Sequence, residues 1–317
     1  MARQLTLEAF KQWGAEGGRK SRRTLQADQA RIMALHSAAV RRAGNRPQPV
    51  SLPASQKHPH GTQEWAAHNV NIQLGCEHDC LYCYAKCMAI RFKRSTPTTW
   101  SEPRIIDNKV SSRRGLKRGK IMFPTTHDIT PTNIDQCSIV LEKMLQAGNQ
   151  VLVVMKPHLA CVKQLCERLE PFRQQLLFRF TIGSVHDNVL SYWEPHAPSF
   201  EERMASLEHT FFAAFSTSVS AEPMLDNDID ALVSAVRPYV TDSIWLGRVN
   251  QLLAAIANNR PHDNNARQNA QVLLAAQHDG WILALYERHR SDAKVKWKDS
   301  IKKVVGLERP TFKGLDT

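Results

Sequence analysis

From residue 69 onward, short runs rich in β-branched and aliphatic residues alternate with longer segments whose apolar positions recur at helical spacing. The runs predict strands near 69–74, 120–123, 151–155, 177–182, 216–220, 243–246 and 281–285, and helices near 84–93, 132–147, 159–170, 199–213, 228–237 and 262–277. Thr132 or Asn133, Ser199 and the acidic run at 226–230 supply helix starts. This alternation belongs to parallel strands joined by crossover helices, and alone it fits a doubly wound sheet or a barrel equally well. Upstream, residues 25–42 are rich in Ala, Gln, Arg and Leu and predict helix, after a break at 14–18; 44–61, with four prolines, reads as a linker. The expected organisation is a basic helical arm (1–48), a linker and lead-in (49–68), an α/β body (69–250), and a C-terminal helix, strand and basic tail (251–317).

A chain of 317 residues with 42% apolar content can bury a large core. Its longest apolar runs, such as 151–155, are far too short to cross a bilayer. The N-terminus has no continuous apolar stretch of a signal peptide, and Glu8 and Glu16 weigh against a transit peptide, so a cytoplasmic location is expected. Charge changes the picture more. The net +12 is uneven: residues 1–50 hold ten cations against three acids. Further basic stretches lie at 113–120 and 294–303. Clustered cations attract polyanions, so nucleic-acid contact through residues 1–50 is expected, against the plainer reading of a solvated surface.

The chemistry concentrates in one loop, where Cys76, Cys80 and Cys83 stand at C-x3-C-x2-C spacing after the first predicted strand. Three thiolates so close can hold three corners of a cubane iron–sulfur cluster, and the loop has no fourth cysteine at ferredoxin spacing. The competing reading is a structural zinc site, with Cys80 and Cys83 as a knuckle completed by Cys87 or His78. Seven cysteines in this chain make a disulfide framework the weaker expectation. Cys137, Cys161 and Cys166 fall in predicted helices as core residues.

The segment from Gly75 to Ala85, with Tyr82 just before the third cysteine, resembles the cluster loop of radical S-adenosylmethionine enzymes. More narrowly, the chain is similar to the spore-photoproduct-lyase-like, or DNA repair photolyase-like, branch. The narrower match rests on Gly61-Thr62-Gln63-Glu64-Trp65-Ala66, Phe123-Pro124-Thr125-Thr126-His127-Asp128, residues 195–203, Ser220-Ala221-Glu222-Pro223-Met224-Leu225 and Trp297-Lys298-Asp299-Ser300. The resemblance implies a partial (β/α)6 barrel with its site at the C-terminal strand ends, a [4Fe-4S] cluster on the three cysteines, and S-adenosylmethionine chelated by the remaining iron. It also implies reductive cleavage to a 5′-deoxyadenosyl radical and an electron donor such as flavodoxin or ferredoxin.

Candidate cofactor contacts follow at the strand ends. Thr125, Thr126 and Asp128 stand where many members contact the methionine amino group, although Thr and Asp also begin helices, and His127 is an open case. Lys156, directly after a strand, is placed to meet the methionine carboxylate, with Arg203 competing for that role or lying on a helix surface. Thr181, Gly183 and Ser184 suit ribose or amino-group contact; Glu222 suits ribose hydroxyls or an ion pair with Lys156; Arg248 and Asn250 end the sixth strand. Cys87 is the candidate hydrogen-atom donor. Spore photoproduct lyases carry such a cysteine near the turn after the second strand, where this chain has Thr125 and Thr126 instead. The leading expectation is a radical enzyme acting on nucleic acid in repair or modification. A radical enzyme acting on a peptide or small metabolite, and a zinc-stabilised nucleic-acid-binding protein, are the alternatives.

Overall fold

The computed structural model describes residues 58–315, within a unit that spans Lys57–Thr317. The basic arm and most of the linker lie outside the described residues. Seven parallel strands form the main sheet in the order β1 (His68–Asn69), β4 (Ile121–Phe123), β5 (Val151–Met155), β6 (Leu176–Thr181), β7 (Ser216–Ala221), β8 (Ile244–Leu246) and β9 (Val295–Trp297). A two-stranded antiparallel sheet joins β2 (Gln73–Leu74) to β3 (Arg104–Ile105). The helices are α1 (Tyr84–Arg91), α2 (Asp107–Ser111), α3 (Ile134–Gln146), α4 (Leu159–Arg168), α5 (Asp187–Trp193), α6 (Phe200–Phe212), α7 (Ile229–Val236), α8 (Leu252–Asn259), α9 (Asn264–Ala276), α10 (Asp279–His289) and α11 (Asp299–Val305). Among the described residues no helix is long and apolar enough to cross a membrane.

Apart from the short, exposed β1, the strands of the main sheet are largely buried on both faces, and their side chains divide by alternation. One phase, including Phe123, Val151, Val153, Phe178, Phe180, Val219, Ile244 and Trp297, packs with the helices into the main core. The other phase places Met122, Leu152, Leu177 and Trp245 in a second cluster with Trp65, from the lead-in before β1. Strands lie about 4.8 Å apart, so a flat sheet would separate β4 from β8 by roughly 19 Å. Side chains of β4, β5, β6 and β8 share one cluster with a single indole, so the sheet is strongly curved around Trp65.

The structure departs from the sequence pattern in three places. The expected strand at 69–74 breaks into β1 and β2, which belong to different sheets. The apolar run 281–285 is helical in α10: only Ile282 and Leu285 are buried, His278 caps the helix by accepting from the Trp281 amide at 3.3 Å, and Arg288 and His289 sit in the last turn. The C-terminal strand is instead β9, inside the basic stretch 294–303, and it extends the main sheet rather than forming a separate tail. That stretch is no surface patch, because Lys298 and Lys302 are buried and Lys294 donates to the Val240 carbonyl.

Candidate functional site

The thiol loop lies between β2 and α1 and is held from several sides. Gly75 has φ +91, and a Cβ there would stand 2.7 Å from the Trp100 carbonyl, which itself accepts from the Cys76 amide at 2.9 Å. Leu81 donates its amide to Trp193, and Asn259, at the end of α8, donates to the carbonyls of Leu81 and Cys83 at 2.9 Å each. Asp79, in the left-handed region at φ 43, binds Lys86 at 2.6 Å and Arg260 at 2.8 Å. Cys83 caps α1, its sulfur accepting from the Lys86 amide, a position that favours a thiolate.

Cys76 and Cys80 are buried and Cys83 is half-buried. Burial raises all three thiols, Cys76 to about 12 and Cys80 well above the usual thiol value; their charges oppose one another, while Lys156 lowers each of them. Such thiols stay protonated until something cationic binds them. This donor set fits a cubane cluster, whose corner irons stand apart and take one thiolate each. Among the described residues no three His, Cys, Asp or Glu side chains stand placed to share one metal ion. His78 is unsuited to zinc, since Nδ1 meets Asp128 at 3.2 Å and Nε2 meets His158 at 3.0 Å.

Beside the thiols lies a polar group that joins Lys156, Tyr82, Asp128 and Glu194. The Lys156 ammonium stands 4.0 Å from Asp128, 3.9 Å from Glu194 and 5.8 Å from the Tyr82 ring centre. Burial opposes its charge, but the negative charge that Cys80 and Tyr82 gain on losing a proton, with the carboxylates of Glu194 and Asp128, raises it well above the usual lysine value. Asp128 accepts from the amides of Ile129 and Lys156; burial raises its carboxyl, yet His78 and Lys156 together bring it down to about 2. Glu194 is fully buried at the end of α5, accepts from the Tyr82 hydroxyl, and forms an ion pair with Arg203 at 2.6 Å that is out of hydrogen-bond alignment.

Arg203 is likewise 0% exposed rather than on a helix surface, and it donates to the carbonyls of Pro198 and Thr181. Its guanidinium is thereby spent on protein partners. Thr125 and Thr126 form a turn held by Asn71, whose side chain accepts from both amides and donates to the Thr125 hydroxyl. His127 is buried: Nε2 accepts from the Ile72 amide, Nδ1 donates to the Asp128 carbonyl, and burial lowers the ring to about 4. Ser184 is inward, donating to Asp226 and accepting from the His186 amide. Arg248 bonds Asp279 and the Gln277 carbonyl, while Asn250 is exposed. Cys87 is half-buried on α1, tied to the loop by the helical bond from its amide to the Cys83 carbonyl.

Glu222 pairs with Lys298 at 3.3 Å, not with Lys156. Lys298 also bonds Glu64 and the Gly61 carbonyl, at 2.9 Å each, and stands 3.9 Å from the Trp65 ring centre. Burial and the neighbouring Glu64 raise the Glu222 carboxyl despite the Lys298 charge. Three separate sequence motifs therefore meet in one buried network. Sequence reasoning missed Glu194 and gave Lys298 no role. Alternation held the signal for the latter: Lys156, Glu222, Gly247 and Lys298 each lie two residues beyond an inward strand position (Val154, Ser220, Trp245 and Lys296).

No family model matches the chain. Over 172 residues it is 26% identical to the uncharacterized protein ORF301 of Acidianus two-tailed virus, covering 50% of this chain and 56% of that protein. Among solved structures it is similar to Streptococcus suis SuiB bound to S-adenosylmethionine (TM-score 0.45, 8% identity, 96% of this chain and 64% of SuiB). Against SuiB bound to precursor peptide SuiA the TM-score is 0.47 at 8% identity, covering 94% and 62%. The chain thus spans a little over half of the curated relative and under two thirds of SuiB.

Proposed function

We propose that this protein is a radical S-adenosylmethionine enzyme of the spore-photoproduct-lyase-like kind, built on a partial barrel, with Cys76, Cys80 and Cys83 holding a [4Fe-4S] cluster. The observation that carries this reading is the thiol loop itself: three sulfurs on one pinned segment, each favoured as an anion by the same buried ammonium of Lys156. When bound, the cluster supplies the electron that splits the sulfonium C–S bond of S-adenosylmethionine to a 5′-deoxyadenosyl radical. The chain's own residues orient and shield. Lys156 offers positive charge beside the thiols, Glu194 and Tyr82 fix Lys156, and Asp128 ties its backbone to the turn after β4. Inward Trp65, Trp245 and Leu152 exclude water beneath the site.

The substrate reading is nucleic acid, in repair or modification, supported by the net charge of +12. Thr125 and Thr126 put no thiol at the turn after β4, so Cys87 is the proposed hydrogen donor.

Anaerobic reconstitution should give a brown protein with iron and sulfide. Dithionite with S-adenosylmethionine should then release 5′-deoxyadenosine, and deuterium should pass into it from labelled DNA or RNA. Ala at any of Cys76, Cys80 or Cys83 should abolish iron content, whereas Cys87→Ala should retain it. Zinc on the three sulfurs, without iron or sulfide, would falsify the reading.

A further inference from the structure

We propose that α1 and the loop after it form the surface on which a single-stranded nucleic acid lies, with one base stacked on Phe92. This deepens the reading above only in making that strand the substrate; the binding surface stands on its own observations.

The first observation is charge. Residues 84–120, inserted between β1 and β4, hold eleven cations and two acids, net +9. The remaining described residues carry more acids than bases. Eight of the eleven cations are exposed: Arg91, Lys93, Arg94, Arg104, Lys109, Arg113, Lys117 and Arg118. The positive charge of this unit is therefore concentrated in this insertion, which begins beside the thiol loop with Arg91, Lys93 and Arg94 and ends at the start of β4, where the Arg118 carbonyl bonds the His68 ring.

The second is an apolar stripe along α1, flanked by Arg91, Lys93 and Arg94. Tyr84, Met88 and Phe92, one helical turn apart, are 54%, 38% and 57% exposed. The Tyr84 hydroxyl donates to the Thr125 carbonyl at 2.5 Å, which fixes the ring at the thiol end. At the other end the Arg91 and Arg94 guanidiniums stand 6.0 Å and 5.7 Å from the Phe92 ring centre. An open depression of about 480 Å³ follows, lined by Lys93, Arg94 and hydroxyl-bearing Ser95, Thr96 and Thr99.

Aromatic faces interleaved with cations bind single strands, because each base offers a π-face and each nucleotide a phosphate. An acidic peptide would satisfy the cations and leave the rings bare. Duplex bases are already stacked on one another and offer the rings no free face. The stripe leads from the depression to Cys83, so a bound strand would run toward the thiols.

The test uses the full chain and an oligothymidylate carrying 5-iododeoxyuridine. Photo-crosslinking followed by peptide mapping should mark Tyr84, Met88 or Phe92. In fluorescence anisotropy, Phe92→Ala should weaken binding about tenfold, the loss of one stacked base. Phe92→Trp should retain affinity, with indole emission quenched on binding. Arg91→Ala with Arg94→Ala should reduce the slope of log affinity against log salt by about 1.4, for two phosphate contacts. Crosslinks confined to residues 1–57, or unchanged affinity in Phe92→Ala, would overturn the proposal. Because the readout is binding, 5′-deoxyadenosine release without these effects would sink only this surface. Binding without a cluster would sink only the radical reading.

Discussion

His127 carries a structural duty that its charge would break. Its imidazole must accept from the Ile72 amide, and burial lowers it to about 4 from an ordinary 6.5. The folded state therefore binds its proton less readily than the unfolded chain, so this stability is complete above pH 6.5 and is lost as pH falls toward 4. The full difference is about 3 kcal/mol. Asp128, lowered to about 2, adds a second loss below pH 4. Denaturant melts across pH 4–7 should show the first decline in the native protein and a flatter profile in His127→Gln. At this scale the sequence was legible where alternation applies. Lys156 and Glu222 stand out in the sequence because they close a strand, although Glu222 meets a different lysine from the one expected. Glu194 does not, because it ends a short helix that no periodicity announces, and its importance comes from Lys156, Tyr82 and Arg203 arriving from elsewhere in the chain.

The elements show how a short loop gains rigidity it cannot generate alone. α8 supplies Asn259, whose two bonds to the loop carbonyls cross 178 and 176 residues of chain. Asn259→Ala should leave those carbonyls without their donor, cost about 1–3 kcal/mol, and lower the iron retained per chain after gel filtration. Gly75→Ala should be worse, because its Cβ would collide with a backbone oxygen that has no side chain's freedom to move aside. The helices over 84–146 and 159–276 that carry long amphipathic patterns were readable to within a few residues. The short ones, α2, α5 and α8, were not. The run at 281–285 read as a strand because five consecutive apolar or aromatic residues mask helical period when only two of them face the core. β9 was hidden for the converse reason: its lysine occupies an inward position that a sequence reading assigns to solvent.

Across the whole molecule, the buried ammonium of Lys298 joins the segment before β1 to the segment after β9. Lys298→Met should remove the cation paired with buried Glu64 and half-buried Glu222, a loss of about 3–5 kcal/mol visible as a lower Tm. Glu64→Gln combined with Lys298→Met should recover part of it, the coupling expected of partners in one network. Neither motif announced this meeting. Each reads as a short polar stretch, and only the curved sheet, which brings its two edges round Trp65, gives them a common address.

Glu64 and Asp299 are bonded across 235 residues, and Gly61 and Lys298 across 237. Such distant closure is slow to reach in folding and comes late in synthesis. A polypeptide ending at Trp297 would keep Glu64, Glu222, Trp65 and Trp245 but lack the ammonium that joins them. The first and last segments of this unit would then be left without the cation that bonds both.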